Sequence, residues 1–226
     1  MFYQVLVFLL MSDVALSNEE KLKLLLSLGE LSPEAVDAMR EKGDAATAGE
    51  FSRALAFNER NTRWINASAV TVRFEKFMRI VVQGLGNVDC QLIRDHSRYC
   101  DISRAEQVSV REVNKLNDNY TLSYLWVLGA YEIVRTMSQR LRNDPRLLVS
   151  APTGQLQSLK RSFERLRIPL AKMEPSKKHP SDAPIAYPAF HAEFGISWQL
   201  GQNIFISRRE LSDALLKFLE RLGGAS

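Results

Sequence analysis

The sequence predicts a mainly α-helical fold, a helical bundle followed by a small C-terminal antiparallel β-meander and a terminal helix. In residues 156–173, apolar residues recur at the steps of three and four that give a helix an apolar face. Within residues 120–141, the stretch 122–134 is apolar on nearly every side, which predicts a helix packed all round in a core. Between 185 and 206, short apolar runs alternate with turn residues, which is typical of a meander. Ser207 and Glu210 then have the spacing of a capping box, which predicts a last helix.

The composition is that of a globular protein. The chain has 226 residues, of which 46% are hydrophobic and 25% charged, enough for one well-filled core or two small ones. Its two cysteines exclude a disulfide-dense secreted scaffold, so we expect a cytoplasmic protein. The formal charge is only +4, but residues 140–180 contain ten Lys or Arg and three acids, a net charge of +7. Such a basic block indicates an anionic partner, or alternatively a solvated helix face.

Three regions follow from these patterns. Residues 1–16 are an apolar segment that is too short to span a bilayer, which takes ~20 residues. Either translation starts at Met11, or the segment is a buried strand or helix; an anchor is the least favoured alternative, and we expect no membrane association. Residues 17–174 form the helical bundle. Residues 175–226 form the β-meander and C-terminal helix, which we expect to pack on the bundle.

Helix signals subdivide the bundle. A capping box at Ser17 starts one helix, and Ser32-Pro33-Glu34 starts a second short one that ends near Gly43. A longer helical region begins near Ala48.

Two later segments give weaker signals. Residues 68–74 alternate well enough to be a strand, whereas 84–108 contain glycine, Asn and Asp and predict a loop with one helical turn at most. The Asn143-Asp144-Pro145 sequence then ends the 120–141 helix.

The helix over 156–173 is the first candidate for a binding site. It carries cations on its non-apolar faces and contains Pro169, which predicts a kink. The cations are Lys160, Arg161, Arg165, Arg167 and Lys172. A second feature lies in the apolar 120–141 helix, where Glu132 and Arg135 can pair at i, i+3. We expect Glu132 to be buried and to converge with Arg135 and Arg167, either as a site or as a structural network, because a buried charge must be paired.

Metal and catalytic signals are few. Cys90, His96 and Cys100 offer three zinc ligands, but a structural site needs four and a closer pair, and only Asp89 or Asp101 lies near. We therefore predict ordinary thiols and no metal or cofactor. The sequence has no Walker loop, GxGxxG or HExxH motif. Its histidines are His96, His179 and His191.

One helix carries an acidic residue, and the next helix ends in Arg167-Ile-Pro-Leu-Ala-Lys172. This succession of helices resembles the core of the HEPN superfamily. That superfamily contains helical nucleotide-binding domains and metal-independent RNases. Glu132, within LGAYEIVR, is similar to the family's helix-borne acid. In the nucleases, however, a histidine follows the arginine, and Lys172 takes its place here. Histidine titrates near neutral pH, whereas lysine has a reference pKa of ~10.4 and more simply neutralises a phosphate.

The resemblance implies two alternatives. The first is a non-catalytic helical interaction or nucleotide/RNA-binding module of a bacterial defence or toxin–antitoxin system, acting with a protein partner or as a homodimer. Its ligand-binding residues would be Arg135, Arg161, Arg165, Arg167 and Lys172. The second is a metal-independent ribonuclease with an unconventional Arg/Lys site. Its candidate catalytic residues are Arg167, Lys172, Glu132 and His179.

Overall fold

In the computed structural model, the described residues are 44–102, 109–148 and 153–224. The segment 1–16 and the two helices expected before residue 44 lie outside them. The chain divides into two compact units, Met1–Ala56 and Phe57–Ser226. Of the first unit only 44–56 are described, and they are helical.

The described residues form five α-helices and one three-stranded sheet. In chain order the elements are α1 (Asp44–Ser68), a 3-10 turn (Ala69–Arg73), α2 (Met78–Ile102), α3 (Val110–Asn143), a 3-10 turn (Pro145–Leu148), α4 (Thr153–Lys172), β1 (Tyr187–His191), β2 (Gly195–Gly201), β3 (Ile204–Ser207) and α5 (Arg208–Gly224). The predicted fold class is therefore confirmed. None of the helices in these residues has the length and apolarity needed to cross a bilayer.

Helix α2 corrects the prediction of a loop over 84–108, because it runs unbroken to Ile102. The glycine that suggested a turn serves helix packing instead. A Cβ atom at Gly86 would lie 2.5 Å from the Cβ and Cγ atoms of Trp64, so only glycine lets α1 and α2 approach this closely. The strand considered over 68–74 is also wrong, since residues 69–73 form a 3-10 turn.

Helices α3 and α4 are the expected antiparallel core pair. Gln157 bonds Ser138 near one end, and Glu164 lies beside Tyr131 further along, so residue numbers rise along one helix as they fall along the other. The stripe of α4 is buried as predicted, at Leu156, Leu159, Phe163 and Leu166. Helix α3 begins ten residues earlier than predicted, at a capping box formed by Ser109 and Glu112. Its first turns are mostly exposed and polar, so they lack the apolar periodicity that marks a helix.

The meander and last helix agree with the sequence patterns. The strands pair antiparallel in the order β1-β2-β3. Ser207 and Glu210 form the predicted capping box, with Glu210 N donating to Ser207 Oγ and Ser207 N donating to the Glu210 carboxylate, each at 3.0 Å. The apolar stripe of α5 is buried, at Leu211, Leu215, Phe218 and Leu222.

A buried carboxylate, which the sequence patterns did not reveal, joins three of these helices. Asp89 of α2 is completely buried. It accepts hydrogen bonds from Arg60 Nε at 2.6 Å and Trp64 Nε1 at 2.9 Å, both on α1, and from Arg208 on α5. Arg60 also pairs with Asp213 at 2.6 Å. Burial by itself would raise the pKa of Asp89, but the charges of Arg208 and Arg60 and their hydrogen bonds outweigh it and lower the pKa.

We expect Asp89→Asn to lower the free energy of unfolding by about 3–5 kcal/mol, because it leaves the buried guanidinium of Arg208 without its counter-charge and leaves Arg60 with Asp213 alone. Urea unfolding at pH 7 measures the change. Asp118→Asn, an exposed position on α3, is the control and should stay within about 0.5 kcal/mol. Equal stability of the two variants would contradict a structural role for the network.

Two glycines of α2 form a matched pair. Gly86→Ala should destabilise by about 1–3 kcal/mol, since the clash with Trp64 outweighs the gain in helix propensity. Gly84→Ala should instead stabilise by about 0.5–1 kcal/mol, because nothing lies within 4 Å of its Cβ position. Thermal unfolding of both variants measures whether the two stability changes have opposite signs. A loss of stability in both variants would show that the contact with Trp64 is not what distinguishes Gly86 from Gly84.

Candidate nucleic-acid interface

Helix α4 presents two rows of cations. Arg161, Arg165 and Lys172 are spaced by four and seven residues and point in nearly the same direction, away from the apolar stripe. We call these three residues the outer basic stripe. The second row, Lys160 and Arg167, lies on the flank next to α3, where Arg167 stacks on Tyr131.

Within the stripe, Arg165 is held by a carboxylate. Its Nε and Nη2 atoms donate to Asp182 at 2.8 and 2.9 Å, and the side chain of Asp182 is only 1% exposed. The hydrogen bonds from Arg165 lower the pKa of Asp182, outweighing its burial, and the nearby His179 adds to the effect. Arg165 therefore fastens the loop after α4 to the helix, and we assign it a positioning role.

The other two stripe residues face solvent. Arg161 is exposed and has no ion pair among the described residues. Lys172 is exposed at the C-terminal end of α4, with its Nζ atom 3.5 Å from Glu174 Oε1. Along the helix, eleven residues separate Arg161 and Lys172, which is about 16 Å.

Glu132 and Arg135 form the expected i, i+3 ion pair, at 2.7 Å. The expectation that Glu132 is buried is wrong, because its side chain is 48% exposed. Helix α3 turns Ile133 and Val134 into the core and leaves Glu132 and the apolar Leu125 outside. Helix α3 is therefore apolar on nearly every side in sequence, but one of its sides is exposed to solvent.

Tyr131 lies close to the charged residues that were expected to converge, Glu132, Arg135 and Arg167. The guanidinium of Arg167 lies 5.2 Å from the centre of its ring, and its hydroxyl lies 3.5 Å from Glu164 Oε1. Burial raises the pKa of Tyr131, and the charge of Glu164 raises it further. The charges of Glu132, Arg135 and Arg167 also act on this hydroxyl, so the cluster lies at the surface between α3 and α4 rather than in the core.

The histidines have local partners. His179 is half buried beside Asp182, whose backbone N–H donates to its carbonyl at 3.1 Å. The Nδ1 atom of His191 accepts from the backbone N–H groups of Glu193 and Phe194 and so holds the β1–β2 turn.

The candidate metal ligands do not form a site in the described residues, where no group of three His, Cys, Asp or Glu could hold an ion. Burial, together with the charge of Asp89, raises the pKa of the Cys90 thiol to about 12, which disfavours the thiolate that a metal needs. His96 makes a 2.7 Å hydrogen bond to the carbonyl of Ala192. The side chain of Cys100 lies outside the described part.

Sequence reasoning missed two groups of polar residues. One is the network on Asp89, and the other is a cleft lined by His96, Asn119 and Ser123. Once 84–102 is recognised as helix, Asp89 falls on the same face as the buried Val82 and Gly86, and that signal could have revealed it.

No protein-family model, curated protein or solved structure matches the chain.

The pair between Arg165 and Asp182 predicts a pH-dependent stability. Because the pKa of Asp182 is lowered in the folded protein, the pair stabilises above the unfolded value of ~3.9, and this contribution is lost as pH falls through the folded pKa. We expect Asp182→Asn to cost about 1.5–3 kcal/mol at pH 7 and less at pH 3.

Urea unfolding at both pH values measures this difference. Glu174→Gln removes the partner of an exposed pair and should change stability little at either pH. A cost for Asp182→Asn that is the same at pH 3 and pH 7 would contradict the charge-based explanation.

Proposed function

We propose that this chain is a non-catalytic helical module that binds RNA through the outer face of α4. The observation that supports this proposal is that Arg161 and Lys172 are both exposed on one face of α4. Both side chains can neutralise phosphates, which supply most of the affinity in sequence-independent binding. Arg167 lies beside them on the flank, half buried on Tyr131.

The spacing of these cations favours a polynucleotide over a mononucleotide. The roughly 16 Å between Arg161 and Lys172 along the helix exceeds the size of a single phosphate group. Tyr131 is buried beneath Arg167 and so is not an open platform for stacking bases. Binding through phosphates alone positions the RNA without reading its sequence, so we expect weak sequence preference.

The geometry also favours binding over catalysis. An ammonium group beside a carboxylate, as at Lys172 and Glu174, can contact a phosphate oxygen but cannot accept a proton. The alternative, a metal-independent ribonuclease using Arg167 and Lys172, needs a group that can. Among the candidates, Glu132 or His179 would have to serve. Glu132 is paired with Arg135 at 2.7 Å, and His179 lies beside Asp182, which Arg165 already holds.

The biological setting rests on the HEPN resemblance alone. It suggests a bacterial cytoplasmic protein of a defence or toxin–antitoxin system, acting as a homodimer or with a protein partner. The exposed basic stripe is compatible with that role but does not require it.

We expect the double variant Arg161→Ala/Lys172→Ala to bind a fluorescein-labelled single-stranded RNA about tenfold more weakly at 0.1 M salt. Losing two phosphate contacts should also reduce the slope of log K against log salt by about 1.4. Fluorescence anisotropy between 0.05 and 0.2 M salt measures both. Lys217→Ala/Arg221→Ala removes two exposed cations from α5 and is the matched control.

Equal losses in the two double variants would show that overall charge, rather than this face, attracts RNA. The same RNA should stay intact during the assay, with or without a chelator. Cleavage that resists the chelator and disappears in Lys172→Ala would favour the ribonuclease alternative.

A further inference from the structure

We infer that the outer face of the β-meander, the side opposite the core, is a stacking platform for unpaired RNA bases. It is formed by Tyr187 of β1 and Phe205 of β3. The inference rests on the proposed RNA binding and deepens it, because bases are free to stack on a protein only where the RNA is single-stranded. Every base has a face that can stack on an aromatic ring, so the platform agrees with a weak sequence preference.

The strand register places the two aromatic residues in one row across the sheet. Tyr187 pairs with Gln199 of the central strand β2, and Gln199 pairs in turn with Phe205. Residues that pair in this way point to the same side of a sheet, whereas their neighbours along the strand point to the other side. The neighbours Trp198 and Leu200 are buried in the core, so the row lies on the outer face.

Both rings of the row are open on the described surface. Tyr187 is 53% exposed and Phe205 is 52% exposed. Two strand spacings separate them, roughly 9.5 Å, so the rings do not cover each other as a directly paired couple would. Gln199 lies between them, but its Nε2 atom donates to the carbonyls of Gly201 at 3.0 Å and Gln202 at 3.4 Å. Its side chain therefore bends along the strand toward the β2–β3 turn, and each ring can take one base.

The charge around the row favours a nucleic acid. Residues 183–207 contain a single acid, Glu193, and no Lys or Arg. Glu193 lies in the β1–β2 turn, at the opposite end of the sheet from Tyr187 and Phe205. No carboxylate of the meander is therefore close enough to the row to repel phosphates strongly. A second protein chain is the alternative occupant of an uncharged face, and a sedimentation measurement tests it.

The loop before β1 supplies cations beside this face. Lys177 and Lys178 are exposed at the tip of a turn that is closed by a backbone hydrogen bond between the residues on either side. The N–H of Ala183 donates to the carbonyl of Leu200, which attaches the end of the loop to β2 next to the aromatic row. Five residues lead from Lys178 to Ala183, at most about 19 Å of chain. A strand whose bases stack on the row can therefore place phosphates near these lysines.

The test compares a short fluorescein-labelled single strand of RNA with the same strand in a duplex, by fluorescence anisotropy at 0.1 M salt. Phosphates alone would favour the duplex, which has the higher charge density, so a preference for the single strand reports contacts to bases. We expect the single strand to bind about tenfold more tightly. Equal or tighter binding of the duplex would overturn the inference and leave the proposed function standing. Binding of neither RNA would overturn both.

Variants of the row locate the effect. Tyr187→Ala/Phe205→Ala should weaken single-strand binding about tenfold or more and leave duplex binding unchanged. The slope of log K against log salt should stay the same because no phosphate contact is lost, unlike in Arg161→Ala/Lys172→Ala. Tyr187→Phe/Phe205→Tyr keeps both rings and should bind like the parent protein. Phe77→Ala, which removes an exposed ring from the surface beside the start of α2, is the matched control.

Three results would overturn the inference in these variants. The first is full single-strand affinity in Tyr187→Ala/Phe205→Ala, or an equal loss in Phe77→Ala. The second needs only the parent protein, and so does not depend on the variants folding: RNA carrying 2-aminopurine whose fluorescence is not quenched on binding does not stack. The third comes from analytical ultracentrifugation, if the parent is a dimer that the alanine double variant converts to a monomer, because the face then holds a second copy of the chain.

Discussion

The buried carboxylate of Asp89 is the constraint on which the described fold depends most. Its donors come from α1 and α5, so three helices must assemble before the charge is neutralised. Arg208 directly follows β3 in the chain, and fixing its guanidinium therefore also fixes the end of the meander. Buried ion pairs contribute little net stability but are very costly when incomplete. The network thus selects one arrangement of helices over alternatives that would bury similar apolar area.

A second clamp, between Arg165 and Asp182, works in the same way at the surface of α4. This clamp matters for function because Asp182, which lies outside residues 140–180, neutralises one cation of that basic segment, and Glu75 does the same at Arg140. The +7 charge of residues 140–180 therefore overstates what a ligand meets. The cations left to attract an anion are few and exposed, and such electrostatic binding is moderate in strength and sensitive to salt.

Strand β2 supports the loop that follows α4. Near the end of this strand, the carbonyl of Leu200 accepts from the backbone N–H of Ala183. Ala183 comes one residue after Asp182, which Arg165 of α4 holds. The loop is therefore attached to the helix on one side and to the β-meander on the other.

The sequence by itself determined the fold class, the core pair of helices, the meander and the capped last helix, because these follow from local periodicity and short-range capping. It also placed the cations of α4 on its outer faces. It did not determine that Gly86 lies inside a helix, that Glu132 is exposed, or that Asp89 and Ser123 are buried. Each of these depends on which residue from a distant segment packs opposite, such as Trp64 against Gly86. Only the tertiary structure decides this, because periodicity gives a residue its face on an element but not the neighbour that the face meets.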